Sequence, residues 1–167
     1  MTVPPLLERL AATPKQLAHL VVEATEEQLD NSSLGEWSVR TIVAHFRDCE
    51  ALCEGLRIMR MLAEDKPVLT DFDELAWADA RNRSRDRKEQ LLGDFALQRQ
   101  ATLNVLSGLR PEDWEREGTH PSRGTFTVRT WAEAIADHDA AHLAQLEATL
   151  GETLDEVLQR RFHPKEA

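Results

Sequence analysis

Cysteine is almost absent from this chain: two in 167 residues, Cys49 and Cys53. Four residues apart in one helical segment, about 6 Å of rise, they face the same way but are poorly placed to bridge. No disulfide framework is expected, and a reducing compartment fits best. Long apolar runs are missing too. Nothing approaches the roughly 18 consecutive apolar residues that cross a bilayer, and the opening MTVPPLLERL has neither a basic leader nor an apolar stretch behind one, so the expected address is the cytoplasm. Basic charge is in deficit, with 20 Lys and Arg against 30 Asp and Glu, a net charge of -10 and a pI near 5.1. That balance argues against a long phosphate-binding surface, because nucleic-acid affinity rests on Lys and Arg displacing counterions. One local exception is Arg81-Asn82-Arg83-Ser84-Arg85-Asp86-Arg87-Lys88. It reads mainly as a solvated helix face or loop, with the capacity to steer a small anionic ligand.

Sustained two-residue alternation is also lacking, whereas apolar residues recur at three- and four-residue intervals almost throughout. With 41% hydrophobic and 30% charged residues, the chain is expected to fold as one all-α domain over 1–167, with its core in about 5–150. A first helical region is expected from Pro5 to Leu29, kinked or started at Pro14. A second runs from Ser38 to about Ala63, stopped by Asp65-Lys66-Pro67. A third covers Asp73 to Leu109, interrupted around Asn82 to Arg87. Pro111 to Phe126, containing Pro121 and Gly124, reads as a structured loop. A fourth helix spans Thr127 to Leu150, closed by Gly151. A short extra helix comes next over Glu152 to Arg161, and His163 to Ala167 are expected to fray. Four main helices of this length favour a bundle, whose facing side chains can build a site inside it.

Two helix entrances resemble one another, Trp37-Ser38-Val39-Arg40-Thr41 and Phe126-Thr127-Val128-Arg129-Thr130. In each, a hydroxyl residue can cap free backbone N–H groups, and the aromatic before it can staple onto Ile42 or Trp131. Measured from these caps, His45 lies seven residues into its helix, and His138 and His142 lie eleven and fifteen residues into theirs. All three offsets fall near one helical face, since four-residue steps rotate by only about 40°. His138 and His142, at i and i+4, suit two imidazoles gripping one ion. Spacing alone leaves His45 open to the plainer reading of a satisfied core histidine on the stripe Ile42, Val43, Phe46, Leu52.

The segment Trp37 to His45 resembles the start of the second helix in the DinB/YfiT-like family. Gly124-Thr125-Phe126-Thr127-Val128-Arg129-Thr130, leading into His138-Asp139-Ala140-Ala141-His142-Leu143-Ala144-Gln145-Leu146, resembles its fourth-helix motif. Phe72 to Trp77 and His120 to Gly124 also look familiar, so the resemblance covers most of residues 5–150. It implies a four-helix bundle, often a homodimer, whose second and fourth helices supply His45, His138 and His142 to a zinc- or nickel-type ion. Three protein ligands would leave positions open for water or substrate. The function implied is a metal-dependent enzyme on a small-molecule substrate. Transfer of a low-molecular-weight thiol such as bacillithiol or mycothiol is the first expectation, with the basic stretch attracting the thiol's carboxylates. A metal-dependent hydrolase and a non-catalytic metal-binding stress-response protein are the alternatives.

Other candidates are weaker. Asp48, three residues after His45, could accept a ligand imidazole's second N–H, but an ordinary surface acid is the commoner case. Asp139 holds the place of Glu in a His-Glu-x-x-His helix, yet it is shorter and has no evident third ligand downstream, so it reads as a solvated or ligand-supporting acid rather than a protease base. Cys49 reads as a small buried hydrophobe. Trp77, Trp114 and Trp131 read as core, and His19, His120 and His163 show no partner pattern.

Overall fold

The computed structural model describes residues 3–32 and 35–163. Helix α1 spans Val3–Val21, α2 Glu26–Asp30 and α3 Val39–Cys49. A π-helical turn, Glu50–Glu54, joins α3 directly to α4, Gly55–Ala63. Then come α5 (Glu74–Ala80), α6 (Lys88–Ser107), the strands β1 (Glu117–His120) and β2 (Gly124–Thr127), α7 (Val128–Leu150) and α8 (Leu154–Phe162). The α1 helix touches α6 and α7, and α3 touches the same two, so four rods close into a ring.

The caps expected from the sequence are made. Ser38 Oγ accepts from the Thr41 N–H at 3.3 Å, and Thr127 Oγ1 from that of Thr130 at 3.1 Å. Phe126 packs edge-on against Trp131 with ring centroids 5.0 Å apart, as a staple should. Gly151, at φ +71°, ends α7 in the left-handed turn that glycine adopts without a Cβ clash.

Two boundaries differ from expectation and one agrees with it. The α1 helix runs through Pro14 and stops at Val21, and a separate capping box on Thr25 and Gln28 starts α2. The third region is interrupted where expected, α5 and α6 being separated by a 3₁₀ turn at Arg83–Arg85. The loop after Pro111 contains a 3₁₀ turn, Pro111–Glu115, and the antiparallel hairpin pairing Glu117 with Thr127 and His120 with Gly124. Gly118 lies so close to Leu69 and Met61 that a Cβ there would come within 2.8 Å of both. Residues 164–167, most of the tail expected to fray, lie outside the described residues.

The core is divided. Leu17, Val21, Ile42, Phe46, Leu91, Phe95 and Leu146 form one apolar half. Leu6, Leu10, Ile58, Met61, Leu106, Trp131 and Ile135 form the other. Between them each long helix contributes polar groups at mid-length: Thr13 from α1, Glu50 and Glu54 from the π turn, Arg99 and Thr102 from α6, Asp139 from α7, all buried. Burial of this kind requires partners, and they are present. Arg99 is fully enclosed and donates to Glu50 Oε2 (2.9 Å), Glu54 Oε2 (3.4 Å), both Asp139 oxygens and the Leu10 carbonyl (3.3 Å). Thr13 donates to Asp139 at 2.7 Å and Thr102 to Glu50. Asp139 is therefore not on a solvated face; the layer claims it.

Candidate metal centre

At one end of this polar layer α3 and α7 face each other, and His45, His138 and His142 meet. Each offers one ring nitrogen, and the three lie within 4.8 Å of one another. His45 Nε2 is 3.0 Å from His138 Nε2. His45 is completely buried, while the other two are partly exposed. The structure thus brings together the three histidines that the family resemblance had joined, with the one from α3 opposite the pair from α7.

The outward nitrogens have partners. Gln145 Oε1 lies 2.8 Å from His142 Nδ1 and accepts its N–H, which leaves Nε2 with a free lone pair. Glu54 Oε1 stands 3.1 Å from His138 Nδ1, off the line of an ideal hydrogen bond. Cys49 Sγ is 3.4 Å from Nδ1 and 3.5 Å from Nε2 of His45, so it lies against the ring and singles out neither nitrogen. Burial, then the neighbouring His142 and His138, push His45 down to about 2, and burial also lowers His138 and His142. Three neutral imidazoles with converging lone pairs form a donor set suited to a divalent first-row ion.

The π turn explains how Glu54 arrives. Nine residues after His45, on a regular helix it would stand roughly 180° away, but a π turn takes up one extra residue and re-phases the rest of the helix by about 100°. Burial, then Glu50 and Asp139, raise the Glu54 carboxyl well above the usual range. Burial also works to raise Glu50, but Arg99 outweighs it and holds that carboxyl below its ordinary value.

Two expectations need correction. Asp48 does not reach a histidine: it accepts from Trp77 Nε1 at 3.0 Å and from Arg47 Nε at 2.6 Å. Trp77 is not simply core either, because with Trp37 it walls the site, their centroids 5.3 and 4.9 Å from that of His45. Trp37 also stacks on His142 at 6.2 Å. Within the basic stretch, Arg81 pairs with Asp86, reaches Thr41 Oγ1 at 3.2 Å and covers Trp77, while Lys88 donates to the Val22 and Ala24 carbonyls. Sequence reasoning missed Glu54, Arg99 and Gln145. Only Gln145, three residues beyond His142 on the same helix, carried a local signal.

The model of the DinB superfamily matches residues 9–146. The chain belongs to the DinB superfamily. A protein of Bacillus licheniformis named a putative metal-dependent hydrolase is 31% identical over 151 residues, covering 85% of this chain and 84% of its own length. One of Oceanobacillus iheyensis with the same description is 29% identical over 134 residues, covering 80% and 77%. YfiT from Bacillus subtilis, described as a probable metal-dependent hydrolase with an unusual four-helix bundle topology, matches the fold. Its TM-score is 0.78 at 22% identity, over 90% of this chain and 89% of that one. Among the described residues no helix of this DinB-superfamily chain is long and apolar enough to cross a membrane.

Proposed function

We propose that the chain is a metal-dependent hydrolase whose divalent ion, of zinc or nickel type, is held by His45, His138 and His142. The carrying observation is the convergence of three neutral imidazoles, two of them with an acceptor at the outward nitrogen. When bound, such an ion acts as a Lewis acid with positions left for solvent and substrate, and it lowers the pKa of the water it holds. The protein's part is geometric. Gln145 fixes the His142 tautomer, Glu54 stands where it can do the same for His138, and Trp37 and Trp77 shield His45 from solvent. Hydrolysis adds the hydroxyl of water to the substrate's electrophilic centre and its proton to the leaving group, and no protein nucleophile is required. Relatives named as metal-dependent hydrolases support this reading. Thiol transfer drew its support from the affinity of a thiolate for such an ion and from the 81–88 stretch, where Arg81 and Lys88 are engaged within the protein.

Metal analysis of protein purified without a histidine tag tests the proposal. About one ion per chain is expected in the wild type and far less in His45→Ala and His142→Ala. Stoichiometric metal in both variants would overturn the site. Turnover of small ester and amide substrates should vanish on chelation; turnover that instead requires an added thiol and an electrophile would replace hydrolysis with transfer.

A further inference from the structure

Beside the metal centre runs a narrow cleft of about 50 Å³, lined by His138, Cys53, Arg57, Glu74, Arg123 and Trp131 among others. Arg57 comes from α4 and is 5% exposed. Its Nε and Nη2 both donate to the Thr70 carbonyl, the former at 2.9 Å, and its guanidinium lies 4.7 Å from the centre of the Trp131 ring. Among the described residues it has no carboxylate within ion-pair distance. A buried cation is ordinarily paired, because an uncompensated charge inside a protein is costly. The other buried arginines obey that rule: Arg99 has three carboxylates, and Arg47 has Asp48 and Asp86.

Arg123 adds a second cation from the hairpin turn, in front of Gly124. Its guanidinium stands 5.7 Å from the centre of the same Trp131 ring and 5.4 Å from that of Phe126, and it too forms no ion pair among the described residues. Glu74, the exposed acid of the lining, lies within 4 Å of neither arginine's nitrogens. The nearby His120 is buried against Trp131 with Asp71 3.6 Å from its Nε2, and burial and then Arg57 lower its pKa although Asp71 works to raise it. The two guanidiniums bring spare charge and spare N–H groups to the space leading to His138.

We infer that Arg57 and Arg123 form the binding site for a carboxylate group of the substrate, anchoring it beside His138 so that the bond to be broken faces the three histidines. Guanidinium is the donor suited to such a group, since its planar fork matches two carboxylate oxygens at once. The inference rests on the hydrolase reading for its purpose but on Arg57's missing counter-charge for its evidence.

Calorimetry on the full, metal-analysed chain tests it with N-acetylglycine, its neutral amide N-acetylglycinamide, and inorganic phosphate. Wild type should bind the carboxylate and not the amide. Arg123→Gln, a change on an exposed turn, should weaken that binding by about tenfold or more, and Arg57→Lys should retain more of it than Arg57→Met. Equal binding of acid and amide, or carboxylate binding unmoved in Arg123→Gln, would overturn the assignment, as would a marked preference for phosphate. Metal content in the same samples separates the two readings. Anion binding without metal defeats the hydrolase alone, and full metal loading without carboxylate binding defeats this inference alone.

Discussion

An imidazole has two nitrogens, and its outside partner decides which one carries the proton. In this chain those partners come from different places: Gln145 from the next turn of α7, and Glu54 from the π turn of another helix. The first is local, the second depends on the whole polar layer being assembled. Replacing Glu54 by Gln keeps the shape but weakens the pull on the His138 N–H, so metal affinity should fall by about 10- to 100-fold. A competition titration against a chromogenic chelator reads this directly. Unchanged affinity would remove Glu54 from any supporting role. The three histidines were legible because their spacing and caps are local and a family resemblance joined them. Arg99, Glu50 and Asp139 were not, because a charged residue in a helical pattern is by default assigned to water, and its partner here stands 49 residues away for Glu50 and 40 for Asp139.

At the scale of elements, two short signals control the placement of the site. The Ser38 cap fixes where α3 begins and hence where His45 falls; Ser38→Ala should cost about 1 kcal/mol in urea unfolding. The π turn then fixes the phase of the helix beyond it. Deleting Ala51 should restore an ordinary helix with Glu54 eight residues after His45, about 80° round and still beside His138, so metal affinity is expected to be kept; loss of tight binding would show that the extra residue is itself needed. The hairpin presents a third constraint. Gly118→Ala would force a Cβ against Leu69 and Met61, and about 1–3 kcal/mol of destabilisation is expected from overpacking. The helix ends were readable from Ser38, Thr127, Gly151 and Pro67, each with its own backbone chemistry. Neither the π turn nor the hairpin was. A one-residue insertion leaves no compositional mark, and strands of four residues are too short for alternation to register.

Across the whole molecule, the polar layer parts one apolar half from the other. Its members balance only together. Arg99→Leu leaves three buried carboxyl groups without their shared cation, and a loss of about 3–5 kcal/mol is expected from the urea midpoint; a loss below about 1 kcal/mol would mean that the carboxyls neutralise at little cost. The layer also bears on how the chain finds its packing. Leucine and alanine faces fit one another nearly as well after sliding by one turn, about 5.4 Å, but such a slip of α6 would carry Arg99 out of reach of Glu50, Glu54 and Asp139 into hydrocarbon. The guanidinium thus acts as a pin through four rods, tolerating one alignment and penalising its neighbours. A chain with Arg99, Glu50, Glu54 and Asp139 all made apolar should keep its helices yet lose its single register, visible as dye binding and collapsed amide dispersion in nuclear magnetic resonance spectra.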